Sequence, residues 1–229
     1  MPWTSPRRAP REGPAAGGAR PRRARGGPPG RRPGAAAVAE HRLAGRIAAR
    51  QSGLVGVPQV TLAGFPFVLE AARGSYPEVR VRADAVTAAG RQVRADVDLR
   101  RVTGSGGGYR AAGADARFTL PFGQLGGALG PGTALSADHG RLRIDRSVLG
   151  LPLTVTAEVR LAGGAVTLRP LSASLAGRPM DPADPRLTAA FGAADRTVPP
   201  LPLGLVPTGV SVGDDGVTLR AAAKGVHVD

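Results

Sequence analysis

The sequence has no cysteine, few aromatic residues and a single lysine, Lys224. Without cysteine there can be no disulfide, no catalytic thiolate and no cysteine-ligated zinc. Aromatic residues make up 3% of the chain and hydrophobic residues 42%, so a core must be built mainly from Val, Leu and Ala. No run of about twenty apolar residues, the length of a membrane-spanning helix, occurs in the sequence.

Histidine is also scarce. The three histidines, His41, His139 and His227, are scattered, and none has a second histidine at ligand spacing. This pattern favours structural or surface roles over a metal site. We therefore expect neither a metal nor a cofactor.

Positive charge is concentrated at the start of the chain. Residues 1–34 contain nine arginines and one acid, Glu12, so they carry +8 of the net charge of +14. Their proline and glycine content predicts a disordered arm, followed by a folded domain over residues 35–229. Such an arm could meet nucleic acid or anionic lipid, but the aromatic residues that would favour single-stranded nucleic acid are missing.

Residues 58–86 contain three different structural patterns. Gln59 to Leu62 alternates as a strand does, Phe67 to Ala72 is an apolar, helix-like segment that ends at Gly74, and a strand with one wet face follows from Glu78. Between the first two segments lies the corner Gly64-Phe65-Pro66-Phe67, which reads as a turn. Val93 to Leu99 alternates strictly and predicts a hairpin with the preceding strand.

The other segments predict an α+β fold dominated by antiparallel strands. An amphipathic helix is expected over residues 35–51, and short helices after Pro121 and over residues 182–191. Alternating segments from Ala111 to Leu175 predict a meander, since no crossover helices separate them. The Pro-Leu segment 198–207 should be extended, and a hairpin should turn at Asp214-Asp215-Gly216.

Two short motifs resemble catalytic signatures but stand in the wrong context. Ser211 occupies a Gly-x-Ser-x-Gly pattern, yet a hairpin turn follows it, whereas a nucleophile elbow requires a helix. Asp96 and Asp98 share one face of a strand whose other face is apolar, so they read as solvent-facing residues and not as metal ligands. No acid, base and nucleophile come together in the sequence, and we predict no enzymatic activity.

Several segments, in order, resemble the LmeA-like phospholipid-binding family of actinobacterial envelope proteins. They are PQVTLAGFPFVLEAARGSYPEVRVRADAV, LPFGQLGGALG, LGLPLTVTAEVRLAGGAVTLRP and VPPLPLGLVPTGVSVGDDGVTL. The resemblance implies half of a tubular lipid-binding (TULIP) fold, like that of bactericidal/permeability-increasing protein (BPI). In that fold a curved antiparallel sheet wraps a long N-terminal helix and encloses an apolar cavity. It also implies phospholipid as the partner, contact with a membrane surface, and a role in maturing mannose-bearing lipoglycans.

Large apolar residues beside glycine or proline breaks are the candidates for lining such a cavity. They are Phe65, Phe67, Leu69, Phe118, Phe122, Leu125, Leu201, Leu203 and Leu205. Each of them could equally be an ordinary core residue. The resemblance places the chain in the cell envelope, but the arm lacks the apolar run of a signal peptide, so a cytoplasmic location stays open.

Two other functions remain open from the sequence. One is a structural or protein-interaction module of the envelope with a solid core. The other is nucleic-acid binding through the basic arm, which should then be sensitive to salt. The oligomeric state and the lipid species are not encoded in any recognisable pattern.

Overall fold

The computed structural model describes residues 40, 44–45, 54–63, 74–87, 89–105, 108–187 and 196–228. All of them belong to one compact unit, Pro33–Asp229. The predicted arm, the helix-like segment 67–72 and the candidates Phe65, Phe67 and Leu69 lie outside the described residues. So does most of the helix predicted over 35–51, of which Glu40, Ala44 and Gly45 are described and are helical. Of the helix predicted over 182–191, residues 185–187 are helical and 188–191 are not described.

Six strands form the first sheet, in the order β1-β2-β3-β4-β12-β11. Their bounds are β1 Leu54–Ala63, β2 Ser75–Val86, β3 Gln92–Ser105, β4 Gly108–Leu120, β11 Val206–Gly213 and β12 Gly216–Val228. All neighbours are antiparallel, as the alternating pattern predicts. The sheet is not a simple meander, because β12 returns from the end of the chain to cover the free edge of β4.

The second sheet is formed by the intervening part of the chain, in the order β10-β8-β7-β6-β5 with β9 also paired to β8. Its strands are β5 Ala134–Asp138, β6 Arg141–Val148, β7 Leu151–Ala162, β8 Ala165–Leu175, β9 Arg178–Met180 and β10 Arg196–Thr197. These strands are also antiparallel. The meander from β5 to β8 agrees with the prediction for residues 111–175, except that β4, which contains Ala111–Leu120, belongs to the first sheet.

Short helical turns connect these strands. The helix predicted after Pro121 is present as Phe122–Leu125 and continues as a 3-10 turn, Gly126–Leu129. The Pro-Leu segment contains a second 3-10 turn, Pro202–Gly204, where a wholly extended chain is expected from the sequence. Proline fits the first position of such a turn because its φ is already near the helical value.

One face of the first sheet is apolar and the other is charged. Along β2, Val79 is buried and Val81 and Ala83 are half-buried, whereas Arg80, Arg82 and Asp84 are exposed. The inner residues continue across the sheet in rows such as Leu62, Val79, Leu99, Ala114 and Ala223. The predicted wet and buried faces of β2 and β3 are therefore confirmed.

The alternation of inward-facing and outward-facing side chains shifts by one residue along a row that crosses four strands. Leu99 and Val102 on β3 are both buried although they are three residues apart, and so are Ala111 and Ala114 on β4. The pairing register is the same on both sides, so no residue is inserted. The row consists of exposed residues, Pro77, Arg101, Ala112 and Gly225; Arg101 and Gly225 have φ of 49° and 62°. A positive φ turns the backbone, and the inner face begins again one residue later.

The inner surfaces form two apolar clusters. The first lies on β1–β4 and β12 and includes Ala44 from the helical residues and Leu205 from the Pro-Leu segment. The second lies on β6–β8 and includes Val212 of β11 and Leu187. The β11–β12 hairpin therefore contributes to both clusters. Among the residues that the structure describes, no helix is long and apolar enough to cross a membrane.

Candidate functional site

An apolar depression opens on the inner face of the first sheet, at the row where the alternation changes. Its volume is about 340 Å³, including the open space above it. The lining side chains come from β2, β3, β4 and β12, and all are aliphatic or tyrosine: Tyr76, Val79, Val81, Leu99, Val102, Tyr109 and Val228.

Tyr76 and Tyr109 are the only tyrosines in the chain, and both line the depression. Burial raises the pKa of the Tyr76 phenol above its ordinary value, and the charge of a neighbouring ionised Tyr109 would raise it further. The Tyr76 phenol is therefore neutral at physiological pH. A tyrosine in such a place offers an apolar ring together with one hydroxyl that can meet a polar group.

Small residues occupy the middle of the inner face beside the depression. Ala111, Ala114 and Ala116 on β4 and Ala221 on β12 are buried. Alanine at these positions lets other chain segments approach the sheet closely, and Ala44, Leu201, Leu203 and Leu205 pack there. Glu40 is also held at the sheet, because its carboxylate accepts a hydrogen bond of 3.1 Å from the Leu62 amide at the edge strand β1.

The structure divides the described candidates among three places. Phe118, Leu201, Leu203 and Leu205 join the first apolar cluster, and Phe122 joins the second. Leu125 is half-buried on the short helix that starts at Phe122. None of these six residues lines the depression. Whether any of them contacts lipid stays a prediction.

The tyrosines were missed from the sequence because they stand at strand ends beside turn-forming residues. Tyr76-Pro77 reads as a turn, and Tyr109 follows a run of glycines. The pairing brings them together, because Tyr76 is opposite Val102 and Tyr109 is opposite Gly104 on the same strand, β3. The sequence offers one signal, since each of the two tyrosines stands directly before a predicted strand, three residues before Val79 and two before Ala111.

The charged face carries ion pairs between neighbouring strands and along β2. Arg80 is 2.7 Å from Asp98 and 2.8 Å from Glu78, and Arg82 is 2.9 Å from Asp96. The hydrogen bond to Asp98, followed by the charges of Asp98 and Glu78, raises the pKa of Arg80 above its ordinary value. Asp96 and Asp98 are therefore ion-pair partners on the outer face. Among the described residues, no group of His, Asp or Glu is placed to hold a metal.

Ser211 and His227 lie far apart on the β11–β12 hairpin. Ser211 pairs with Thr218 near the turn, whereas His227 stands at the other end of β12, opposite Arg110. Nine residues of strand between Thr218 and His227 span about 30 Å. The Gly-x-Ser-x-Gly pattern thus leads into a hairpin, as its sequence context predicts, and these two side chains cannot act on one atom.

A family model described as LmeA-like phospholipid-binding matches residues 32–222, which is most of the chain. No curated protein matches the sequence. No solved structure matches it either.

Proposed function

The chain belongs to the LmeA-like phospholipid-binding family, and we propose that it holds phospholipid, with an acyl chain in the depression on the inner face of the first sheet. The observation that carries this proposal is the lining of the depression, which is apolar except for the two tyrosine hydroxyls. Removal of each methylene of an acyl chain from water is favourable by about 0.8 kcal/mol, so a surface of this kind suffices to bind one without further polar chemistry.

The size of the depression limits what it can enclose. It is shallow and open to solvent, so it can contact part of one acyl chain but cannot enclose a whole diacyl lipid. Tyr76 and Tyr109 are suited to the boundary between the chain and the polar part of the lipid, because their rings are apolar and their hydroxyls can hydrogen-bond an ester or phosphate oxygen. We therefore propose that the acyl end enters beside Leu99 and Val102.

Adjacent residues at the end of β12 provide a matched test. Val228 is half-buried and lines the depression, whereas His227 is exposed on the other face of the same strand. A carboxylate at position 228 would have to be desolvated beside bound lipid, which is strongly unfavourable. We expect Val228→Asp to reduce the phospholipid carried by the purified full chain to less than about a third, because an unpaired buried charge costs several kcal/mol.

The measurement is organic extraction of the purified protein followed by mass spectrometry, with uptake of a fluorescent phospholipid as the second readout. His227→Asp adds the same group one residue away and should leave both unchanged. The proposal is overturned if the native chain neither carries nor takes up phospholipid, or if both variants behave alike.

The cellular role follows from the family and is also a proposal. We place the protein in the cell envelope, in contact with a membrane surface, as a non-enzymatic carrier that supports the maturation of mannose-bearing lipoglycans. Deletion of its gene should then change the size distribution of extracted lipoglycans on a gel, and fractionation of cells should recover the protein with the envelope. An unchanged lipoglycan profile would separate lipid binding from that role.

A further inference from the structure

The turn between β6 and β7 exposes a leucine in a conformation that leucine disfavours. Leu149 and Gly150 have φ of 52° and 79°, the pattern of a two-residue hairpin turn in which both residues have positive φ. Asn, Asp and Gly are preferred at the first of these positions. Leu149 is nevertheless 98% exposed, and the next apolar residue, Leu151, is 46% exposed. Leucine at this position therefore stabilises neither the turn, because its φ is positive, nor the core, because its side chain is exposed.

A second turn lies beside this one and extends the apolar end of the sheet. The Ala176 amide, in the β8–β9 turn, donates a hydrogen bond of 2.8 Å to the Pro152 carbonyl. Pro152, Ala176 and Gly177 are all exposed. Segments 146–153 and 175–179, which form the two hairpin ends, contain no acid and two arginines, of which Arg178 is exposed and Arg146 is half-buried.

The opposite end of the same sheet has the same turn geometry but a polar surface. His139 and Gly140, between β5 and β6, have φ of 49° and 77°. His139 is exposed, and its Nδ1 lies 2.7 Å from the Asp138 carboxylate. A polar residue thus forms this type of turn in this protein, and the two ends of the second sheet differ in character.

We propose that the tip of the β6–β7 hairpin, Leu149-Gly150-Leu151, inserts into the surface of a lipid bilayer that contains anionic headgroups. Two leucines and a small apolar rim are too little for a stable protein interface, which needs about 800 Å² on each partner. Insertion into a bilayer needs only a few apolar side chains with basic residues beside them. The hairpin tip is separate from the depression on the first sheet, so docking and lipid loading can be tested separately.

Sedimentation of the full chain with vesicles of equal parts phosphatidylcholine and phosphatidylglycerol tests the proposal. A salt concentration of about 0.15 M should be used, because the arginines beside the tip then still attract the anionic headgroups. Residues 1–34 are the same in every variant, so their contribution cancels in the comparison. We expect Leu149→Asn to lower the partition coefficient by about tenfold, since an amide replaces the leucine that enters lipid. His139→Asn, in the same backbone geometry at the polar end, should leave it unchanged.

Folding and docking are distinguished because Asn suits a positive φ. Leu149→Asn should unfold at the same or a higher denaturant concentration than the native chain, so weaker vesicle binding cannot come from loss of structure. Phospholipid loading should be unaffected by Leu149→Asn, whereas Val228→Asp should lose loading and keep vesicle binding. The docking proposal deepens the proposed contact with a membrane surface, and its test is independent of the proposed lipid loading.

A fluorescence experiment reports the depth of the tip directly. Leu149→Trp in a Trp3→Phe background should shift its emission to the blue and be quenched by brominated phospholipid, whereas His139→Trp should do neither. The proposal is overturned if the native chain does not sediment with these vesicles or if Leu149→Asn binds as tightly as the native chain. It is also overturned if Leu149→Asn abolishes self-association of the protein in place of vesicle binding.

Discussion

At the scale of single residues, Arg101 is the most unusual position in the first sheet. It lies in the middle of β3, is exposed and has φ of 49°, where only glycine is free of strain and Asn is tolerated. The inner face resumes at Val102, which lines the depression, so the conformation of Arg101 determines which side chains face the site. No pattern in the sequence predicts the shift in alternation at Arg101, because Arg100-Arg101 looks like the ordinary end of the strand that starts at Val93.

Substitutions at Arg101 should separate strain from side-chain chemistry. Arg101→Asn should raise the free energy of unfolding by about 0.5 kcal/mol, and Arg101→Val should lower it by about 1–2 kcal/mol, because β-branched residues tolerate a positive φ least. Denaturant unfolding measures both changes. Thr103→Val, at an exposed position two residues along the same strand, is the control and should change little; equal effects of valine at the two positions would argue against strain at Arg101.

Asp145 should make the second sheet sensitive to acid. A hydrogen bond from Arg143, at 2.9 Å, is the main cause that lowers the pKa of this carboxyl; partial burial opposes it, and a bond of 2.6 Å from Thr154 adds to it. Because the folded pKa lies below the unfolded one, the stabilisation is present above an ordinary carboxyl pKa of about 4 and is lost as the pH falls through the folded value.

Asp145→Asn should therefore lower the free energy of unfolding by about 1 kcal/mol at pH 7, a small value because water screens a partly exposed ion pair. The effect should be smaller at pH 2. Denaturant titrations at several pH values measure this difference. A loss of stability that is the same at pH 7 and pH 2 would contradict the electrostatic cause.

At the scale of elements, the sequence predicts strands and turns better than it predicts their partners. The hairpin turn at Asp214-Asp215-Gly216 is confirmed, because aspartate and glycine between two alternating segments mark such a turn locally. The pairing of β12 with β4 joins segments about a hundred residues apart, and no local pattern specifies it. The depression depends on that pairing, since Val228 reaches it from β12, which is why its lining was not predictable from the sequence.

The turn before β12 contains a glycine that no other residue can replace. Gly216 has φ of 140°, and a Cβ there would overlap the Leu120 carbonyl of the neighbouring strand β4. We expect Gly216→Ala to cost at least about 3 kcal/mol, because backbone atoms must move apart. Gly213, its partner in the hairpin, has open space around its Cβ position, so Gly213→Ala is the control. A thermal melt of both variants tests this. Similar melting temperatures would show that the backbone of β4 at Leu120 moves aside at little cost.

At the scale of the whole folded unit, the β11–β12 hairpin couples the two sheets. Val212 near its turn is buried in the second apolar cluster with Ile144 and Val155, whereas Ala221 and Val226 further along are buried in the first. Burial of one hairpin in both clusters should make the sheets unfold together. The family match covers both sheets as well.

Val212→Ala tests this coupling. It should lower the free energy of unfolding by about 1–2 kcal/mol through the cavity that it leaves. Because the sheets unfold together, amide exchange should accelerate by the same factor in β3 of the first sheet and β7 of the second. Val206→Ala, at an exposed position on the same strand, should accelerate neither. Faster exchange in β7 alone would show that the sheets open independently.

The irregular edges of the first sheet have a consequence for the behaviour of the protein at high concentration. Both edge strands, β1 and β11, contain a register shift, between Val55 and Gln59 and between Pro207 and Gly209, and each shift includes or borders a proline. A regular edge would offer its free amides and carbonyls to the edge of another copy and let sheets grow into fibres. Because both edges are interrupted, a protein with an apolar inner surface can remain dispersed while it is unloaded.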